Sequence, residues 1–230
     1  MATMTAFAAT LGLAGSAVYL SPWFWRQYRM RRVRNELTKN RILALTYDDG
    51  PTNVLTPQLL DLLQHRQAHA TFFMLGRQAE KHPQIVDRVI REGHEIGCHT
   101  DQHLHAWLVL PWEAVADINA GYERLSPWLR PNGVFRPPYG KVTLPTYLSL
   151  RRRGAPVWWW TIDSGDTHRA LPSASQVADR LRQEGGGVVL MHDLDRTQPR
   201  SDYVLELTAL LLDVAQQESI QIKTLSDLCQ

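Results

Sequence analysis

The sequence predicts an α/β fold with parallel strands, arranged as an open sheet or a barrel. From Ile42 onward, short apolar runs alternate with amphipathic stretches, the pattern of strands joined by crossover helices. Polar and charged residues cluster directly after the predicted strands, at the carboxyl ends where such folds place their sites. The bulk numbers fit one full-sized domain: 230 residues, 44% hydrophobic and 21% charged, enough for a sizeable core. A formal charge of +2 gives no nucleic-acid surface. Two cysteines, Cys98 and Cys229, make no disulfide framework.

Residues 1–25 carry no charged side chain and end in Trp23, Phe24 and Trp25, with Arg26, Arg29, Arg31, Arg32 and Arg34 following. Length and flanking aromatics predict a single N-terminal membrane anchor. Charge placed after the apolar stretch argues against a cleaved secretory signal. The positive-inside tendency then sets the main domain on the cytoplasmic face. The competing reading is an apolar helix packed on the domain. Residues 26–40 read as a basic linker, and residues 41–230 as the folded domain.

The first strand, residues 42–45, runs into Thr46-Tyr47-Asp48-Asp49-Gly50-Pro51. A helix opens at Thr56-Pro57, with Leu59, Leu60, Leu62 and Leu63 as its apolar face. Residues 71–75 are the second strand. Pro83 opens a helix with Ile85, Val86, Val89 and Ile90 on one face, ended by Gly93. Residues 94–98 form a third strand running into His99. Pro111 starts a helix through Val115, Ile118, Tyr122 and Leu125. A strand at 133–135 ends at Arg136, residues 144–150 are helical, and residues 156–162 form an aromatic strand. A helix at 175–181 is broken by Gly185-Gly186-Gly187, then residues 188–191 form an apolar strand. A helix at 203–216 and a seventh strand at 220–224 close the series.

Asp48 and Asp49 follow the first strand, His99 and His103 the third, Arg136 the fourth, Asp163 and Asp166 the fifth, and His192 and Asp193 the sixth. Adjacent carboxylates repel unless a cation offsets them. The pair therefore points to a metal site with one carboxylate as ligand and the other as a base. His99 and His103, four residues apart, share a face if they lie on one helical turn. Two imidazoles and one carboxylate leave open positions on the ion, the ligand set of a catalytic site; imidazole preference favours zinc, with cobalt, nickel or manganese as alternatives. Cys98, pointing away from the face that His99 uses, reads as a small buried side chain.

The ordered set Thr46-Tyr47-Asp48-Asp49-Gly50, His99-Thr100-x-x-His103, Arg136-Pro137-Pro138-Tyr139, Asp163-x-x-Asp166 and Leu190-Met191-His192 resembles the polysaccharide deacetylases, carbohydrate esterases that share a chitooligosaccharide deacetylase homology domain. That resemblance implies a distorted (β/α) barrel of about seven strands over residues 41–230. It also implies a divalent-metal hydrolase that removes acetyl groups from N-acetylated sugars. It assigns Asp49, His99 and His103 to the metal and Asp48 to the general base, with Arg136 orienting Asp48 and holding it ionised. The backbone N–H of Tyr139 would stabilise the oxyanion. His192 would be the general acid and Asp166 its supporting carboxylate, with Asp163 as competitor. Thr167 stands where the family has a groove-lining tryptophan, and Tyr47 replaces the commoner phenylalanine. An O-acetyl substrate, a formyl group on a lipid-linked sugar, and a glycan-binding module without chemistry are the competing functions. A phosphoesterase lacks the Gly-rich cradle it would need.

Overall fold

The computed structural model describes residues 2–228, with side chains from Val18 onward. Its centre is one parallel sheet of β1 (Ile42–Asp48), β2 (Thr71–Met74), β3 (Glu95–Cys98), β4 (Ile162–Asp163), β5 (Gly187–His192) and β6 (Gln221–Ile222). The spatial order is β3-β2-β1-β5-β4, and β6 pairs with the first residues of β1. Two single-residue parallel bridges, Cys98 to Phe135 and Phe135 to Val157, carry the pairing on from β3. Residues 157–163 thus touch the bridge at one end and β5 at the other, and the sheet curls into a barrel with one thinly bonded seam.

Among the described residues six strands form where seven were expected. Residues 133–135 and most of 156–162 are extended but bond through single residues. Pro156 and Pro137 flank the two bridges and have no N–H to extend a ladder. The helices otherwise fall close to expectation: α2 (Leu55–His65), α4 (Pro83–Arg91), α5 (Pro111–Leu125), α6 (Leu144–Arg153), α7 (Ala174–Glu184) and α8 (Gln198–Gln217). One short helix, α3 (Gly76–Lys81), has no readable apolar period in six residues.

Strand alternation separates two cores. Leu43, Leu45, Tyr47, Phe72, Met74, Val189 and Met191 face outward against the helices. Ala44, Phe73, Val134, Trp158 and Val188 fill the barrel interior. Thr46, Asp48, Leu190 and His192 share the interior face by the period of two, so β1 and β5 deliver polar groups to the top of an apolar interior.

The N-terminal helix α1 runs without interruption through Ala2–Asn40. Residues 26–40, expected as a linker, are its last turns. From Trp23 to Asp49 the chain has no proline or glycine, and its Arg, Leu, Lys and Glu residues favour helix. Leu37, 2% exposed, and Val33 pack with Ile42 and Leu225 at the bottom of the barrel. Arg34 Nη2 donates to the Thr161 carbonyl at 3.0 Å. The helix thus lies along the seam, and Arg34, one of the arginine cluster, bonds the domain. Among the described residues no helix is long and apolar enough to cross a membrane. The anchor expected over 1–25 falls mostly on residues 1–17, whose side chains lie outside those described.

Candidate active site

Asp48, Asp49, His99, His103, Asp163 and His192, singled out at the strand ends, line one groove of about 480 Å³ together with Tyr139, while Arg136, Asp166 and Asp193 sit behind it and bond to Asp48, His192 and Gly50. Asp48 and His192 are paired residues of β1 and β5. Asp49, one residue past β1, has φ 79°. This region is uncommon for residues other than glycine. It is held by the Asp49 N–H donating to the Phe73 carbonyl at 3.2 Å. Asp193 closes the turn from behind, accepting from Gly50 N at 3.0 Å and Thr56 Oγ1 at 2.8 Å. A Cβ on Gly50 would lie 2.0 Å from Asp193 Oδ2, so only glycine allows the approach.

Asp49, His99 and His103 offer three ligand atoms within 4.8 Å of one another. Asp49 Oδ1 lies 3.5 Å from His99 Nε2 and 3.2 Å from His103 Nε2, and this buried oxygen accepts no hydrogen bond among the described residues. His99 Nδ1 faces the Arg136 carbonyl at 2.7 Å. Because a carbonyl only accepts, Nδ1 carries the proton and Nε2 presents its lone pair. Burial lowers the His99 pKa to about 3, with Asp49 opposing. Burial also lowers His103, again against Asp49. With its proton on Nδ1, His99 turns a lone pair towards the bare Asp49 oxygen, a juxtaposition that a cation between them would relieve. The donor set fits a divalent ion with imidazole preference.

His99 and His103 were expected on one helical turn; they are on a loop. His99 follows β3 directly. Thr100 and His103 have φ of 69° and 63°, and Thr100 Oγ1 accepts from His103 N at 3.0 Å. The carboxylate of Asp117, inside α5, accepts from Gln102 N at 2.8 Å and Leu104 N at 3.1 Å. These bonds supply what a helix would have supplied from its own backbone. Sequence reasoning missed Asp117. The available signal was a carboxylate among Ala114, Ile118, Gly121 and Tyr122 on the buried face of an amphipathic helix. Replacing Asp117 with Ala is expected to weaken metal affinity by about tenfold or more, read by metal titration against wild type.

Asp48 is 2% exposed and Arg136 fully buried. Arg136 Nη1 donates to Asp48 Oδ1 and Thr46 Oγ1, each at 2.7 Å, and its guanidinium lies 4.2 Å from the Phe73 ring centroid. Thr46 is a second member of the site that the motif alone did not assign. Burial raises the Asp48 pKa, and Arg136 and His192 pull against it. Arg136 thus favours the ionised carboxylate, against a burial effect that leaves the Asp48 pKa raised. A carboxylate moved upward is the stronger proton acceptor.

His192 Nδ1 pairs with Asp166 Oδ1 at 2.8 Å, and its backbone N–H donates to Asp166 Oδ2 at 2.7 Å. Burial alone would lower the His192 pKa. The Asp166 hydrogen bond and charge, aided by Asp48 and Asp49, outweigh it and push it up to about 9. Asp163, the competitor for this place, instead accepts from Gly165 N at 2.9 Å. Tyr139, at φ 56°, follows two prolines without N–H groups and sets its ring 4.6 Å from His103 and 4.7 Å from His105. Four of the positive-φ residues, Asp49, Thr100, His103 and Tyr139, therefore gather here. Such backbone costs on the order of 1–3 kcal/mol per residue and collects where function requires it.

A parallel α/β barrel with a carboxylate-imidazole donor set, a buried Asp-Arg pair and a His-Asp pair at its strand ends defines a hydrolase-type site. The polysaccharide deacetylase family model matches residues 35–158, and the chain belongs to that family. A peptidoglycan-N-acetylglucosamine deacetylase of Bacillus cereus is 34% identical over 77% of this chain and 83% of its own length. A chitooligosaccharide deacetylase of a Bradyrhizobium species is 29% identical over 72% of this chain and 77% of its own. Among solved structures, the peptidoglycan deacetylase PdaC of Bacillus subtilis is 28% identical. Its TM-score is 0.68, with 83% of this chain and 91% of that chain covered.

Proposed function

We propose that this protein is a metal-dependent deacetylase that hydrolyses N-acetyl groups on a carbohydrate, with an N-acetylglucosamine-containing glycan as substrate. The observation that carries the reading is the convergence in one groove of the Asp49-His99-His103 donor set with Asp48 and His192, each backed by a buried partner, Arg136 for Asp48 and Asp166 for His192. The names of the relatives support the substrate class.

Asp49, His99 and His103 would hold the ion, zinc by imidazole preference, which would supply Lewis-acid polarisation and a more acidic water. Asp48 takes the proton of the attacking water. Arg136 occupies its Oδ1, so Oδ2 is left to act as the base. The water oxygen bonds to the acetyl carbon, and the Tyr139 N–H donates to the carbonyl oxygen as negative charge develops there. Asp166 fixes Nδ1 of His192 and leaves Nε2 to protonate the amine nitrogen as the C–N bond breaks. Acetate and a free amino sugar leave. Thr167 on the groove wall gives a hydroxyl in place of a stacking aromatic, which reduces grip on a sugar ring at that position.

Because His192 acts as its protonated form, activity falls as pH rises through the His192 pKa. An alkaline limb near pH 9 is expected from the raised value. Asp166→Asn removes the hydrogen-bonded charge that raises it and moves the limb to lower pH, visible in the kcat/KM pH profile.

The test is acetate release, alongside formate release from formylated sugars, from N-acetylglucosamine oligomers and peptidoglycan fragments by metal-restored protein. Acetate from either glycan, lost on chelation, supports the reading. Bound metal without acetate rejects it, and formate alone transfers the site to a deformylase.

A further inference from the structure

The described turns of α1 reach the candidate site itself, although residues 18–34 precede the stretch that the family model matches. Arg26 is the point of contact. Its Nη1 donates to the Gly140 carbonyl at 3.4 Å, an oxygen that also accepts from Trp159 Nε1 at 3.0 Å. The guanidinium carbon lies 5.2 Å from the Trp160 ring centroid and 5.8 Å from that of Trp159. A Cβ on Gly140, at φ 65°, would come within 3.2 Å of Arg26 Nη1 and 3.0 Å of Trp160, so the guanidinium and the indole sit directly on the turn. Beside it, the Trp25 ring is 5.5 Å from Trp159 and 4.7 Å from Tyr147. Tyr139 and Trp160 both line the groove.

We propose that Arg26 is a positioning residue for the reaction: it holds the Pro138–Gly140 turn, and with it the Tyr139 N–H, together with the Trp160 wall of the groove. The proposal rests on the oxyanion role given to Tyr139 above. A positive φ at Tyr139 persists only if its surroundings over-determine it. The turn's own bonds, Gly140 N to the Pro137 carbonyl at 2.9 Å and Lys141 N to the Pro138 carbonyl at 3.0 Å, span one short loop. Arg26 ties that loop to a 39-residue helix packed along the barrel seam. The N-terminal helix is in this way a structural part of the active site.

The experiment compares Arg26→Ala, Arg26→Lys and Arg29→Ala in the full chain. Arg29 is the control because it lies 5.3 Å over Trp25 and 5.9 Å over Trp158 and lines no part of the groove. Hydrogen exchange at the Gly140 and Lys141 amides needs no substrate. It is expected to speed up about tenfold in Arg26→Ala, to be partly restored in Arg26→Lys and to stay unchanged in Arg29→Ala. In parallel, kcat for acetate release should fall about tenfold in Arg26→Ala and less than about twofold in Arg29→Ala, the size expected from a displaced donor. Wild-type protection in Arg26→Ala, or equal acceleration in Arg29→Ala, would overturn the proposal. A wild-type chain that releases no acetate overturns the deacetylase reading and not the positioning of the turn, which the exchange rates decide on their own.

Discussion

Asp48→Asn is expected to lower kcat by about 10²–10⁴-fold, the range for losing a positioned general base, while leaving the metal-binding residues intact. The substitution is nearly isosteric, and an amide oxygen still accepts from Arg136 Nη1, which now sits 2.7 Å from Asp48 Oδ1. Folding and the Arg136 position should therefore survive, whereas the group that takes the proton of water is gone. Paired measurements of acetate release and metal content separate the two effects. Full metal occupancy with collapsed turnover supports the base assignment. Turnover within about tenfold of wild type would remove Asp48 from that role.

Arg136→Met should have the largest effect on stability, about 3–5 kcal/mol, because it leaves Asp48 buried without its cation. Arg136 is fully buried and donates to Thr46, Asp48 and the Trp159 carbonyl. Arg136→Lys keeps a charge but loses the planar fork, so an intermediate loss is expected. The denaturant midpoint at unchanged slope reads both. The pH profile adds a second check with a definite sign. Arg136 lowers the Asp48 pKa against burial, so removing it raises that pKa. The base form then appears only at higher pH, and the acidic limb of kcat/KM moves up.

The site was legible from sequence because its residues sit where parallel strands end. Asp48, Asp49, His99, Arg136 and His192 each follow an apolar run, and a parallel sheet brings such ends together whatever their separation along the chain. Helices with proline openings, α4 and α5, were legible for a similar local reason: Pro83 and Pro111 fix their first turns. Tertiary features were not. A four-residue spacing suggested a helical turn for His99 and His103, but Asp117, reaching from α5, stabilises a loop with two residues at positive φ. Apolar, aromatic runs at 133–135 and 156–162 looked like full strands, and the seam they form bonds through single residues because Pro137 and Pro156 interrupt the ladder. Continuity of α1 was also hidden: a run of arginines reads as a solvated linker until Arg26 and Arg34 are seen donating to carbonyls of the barrel.

Asp49, His99 and His103, proposed to hold the divalent ion, are expected to set turnover through its occupancy. Calorimetric titration of chelator-stripped protein with zinc, on wild type and on Asp49→Ala, tests it directly. A single tight equivalent is expected for wild type, with severe weakening in Asp49→Ala and acetate release restored in step with occupancy. Absence of binding to wild type, or equal affinity in Asp49→Ala, would contradict it.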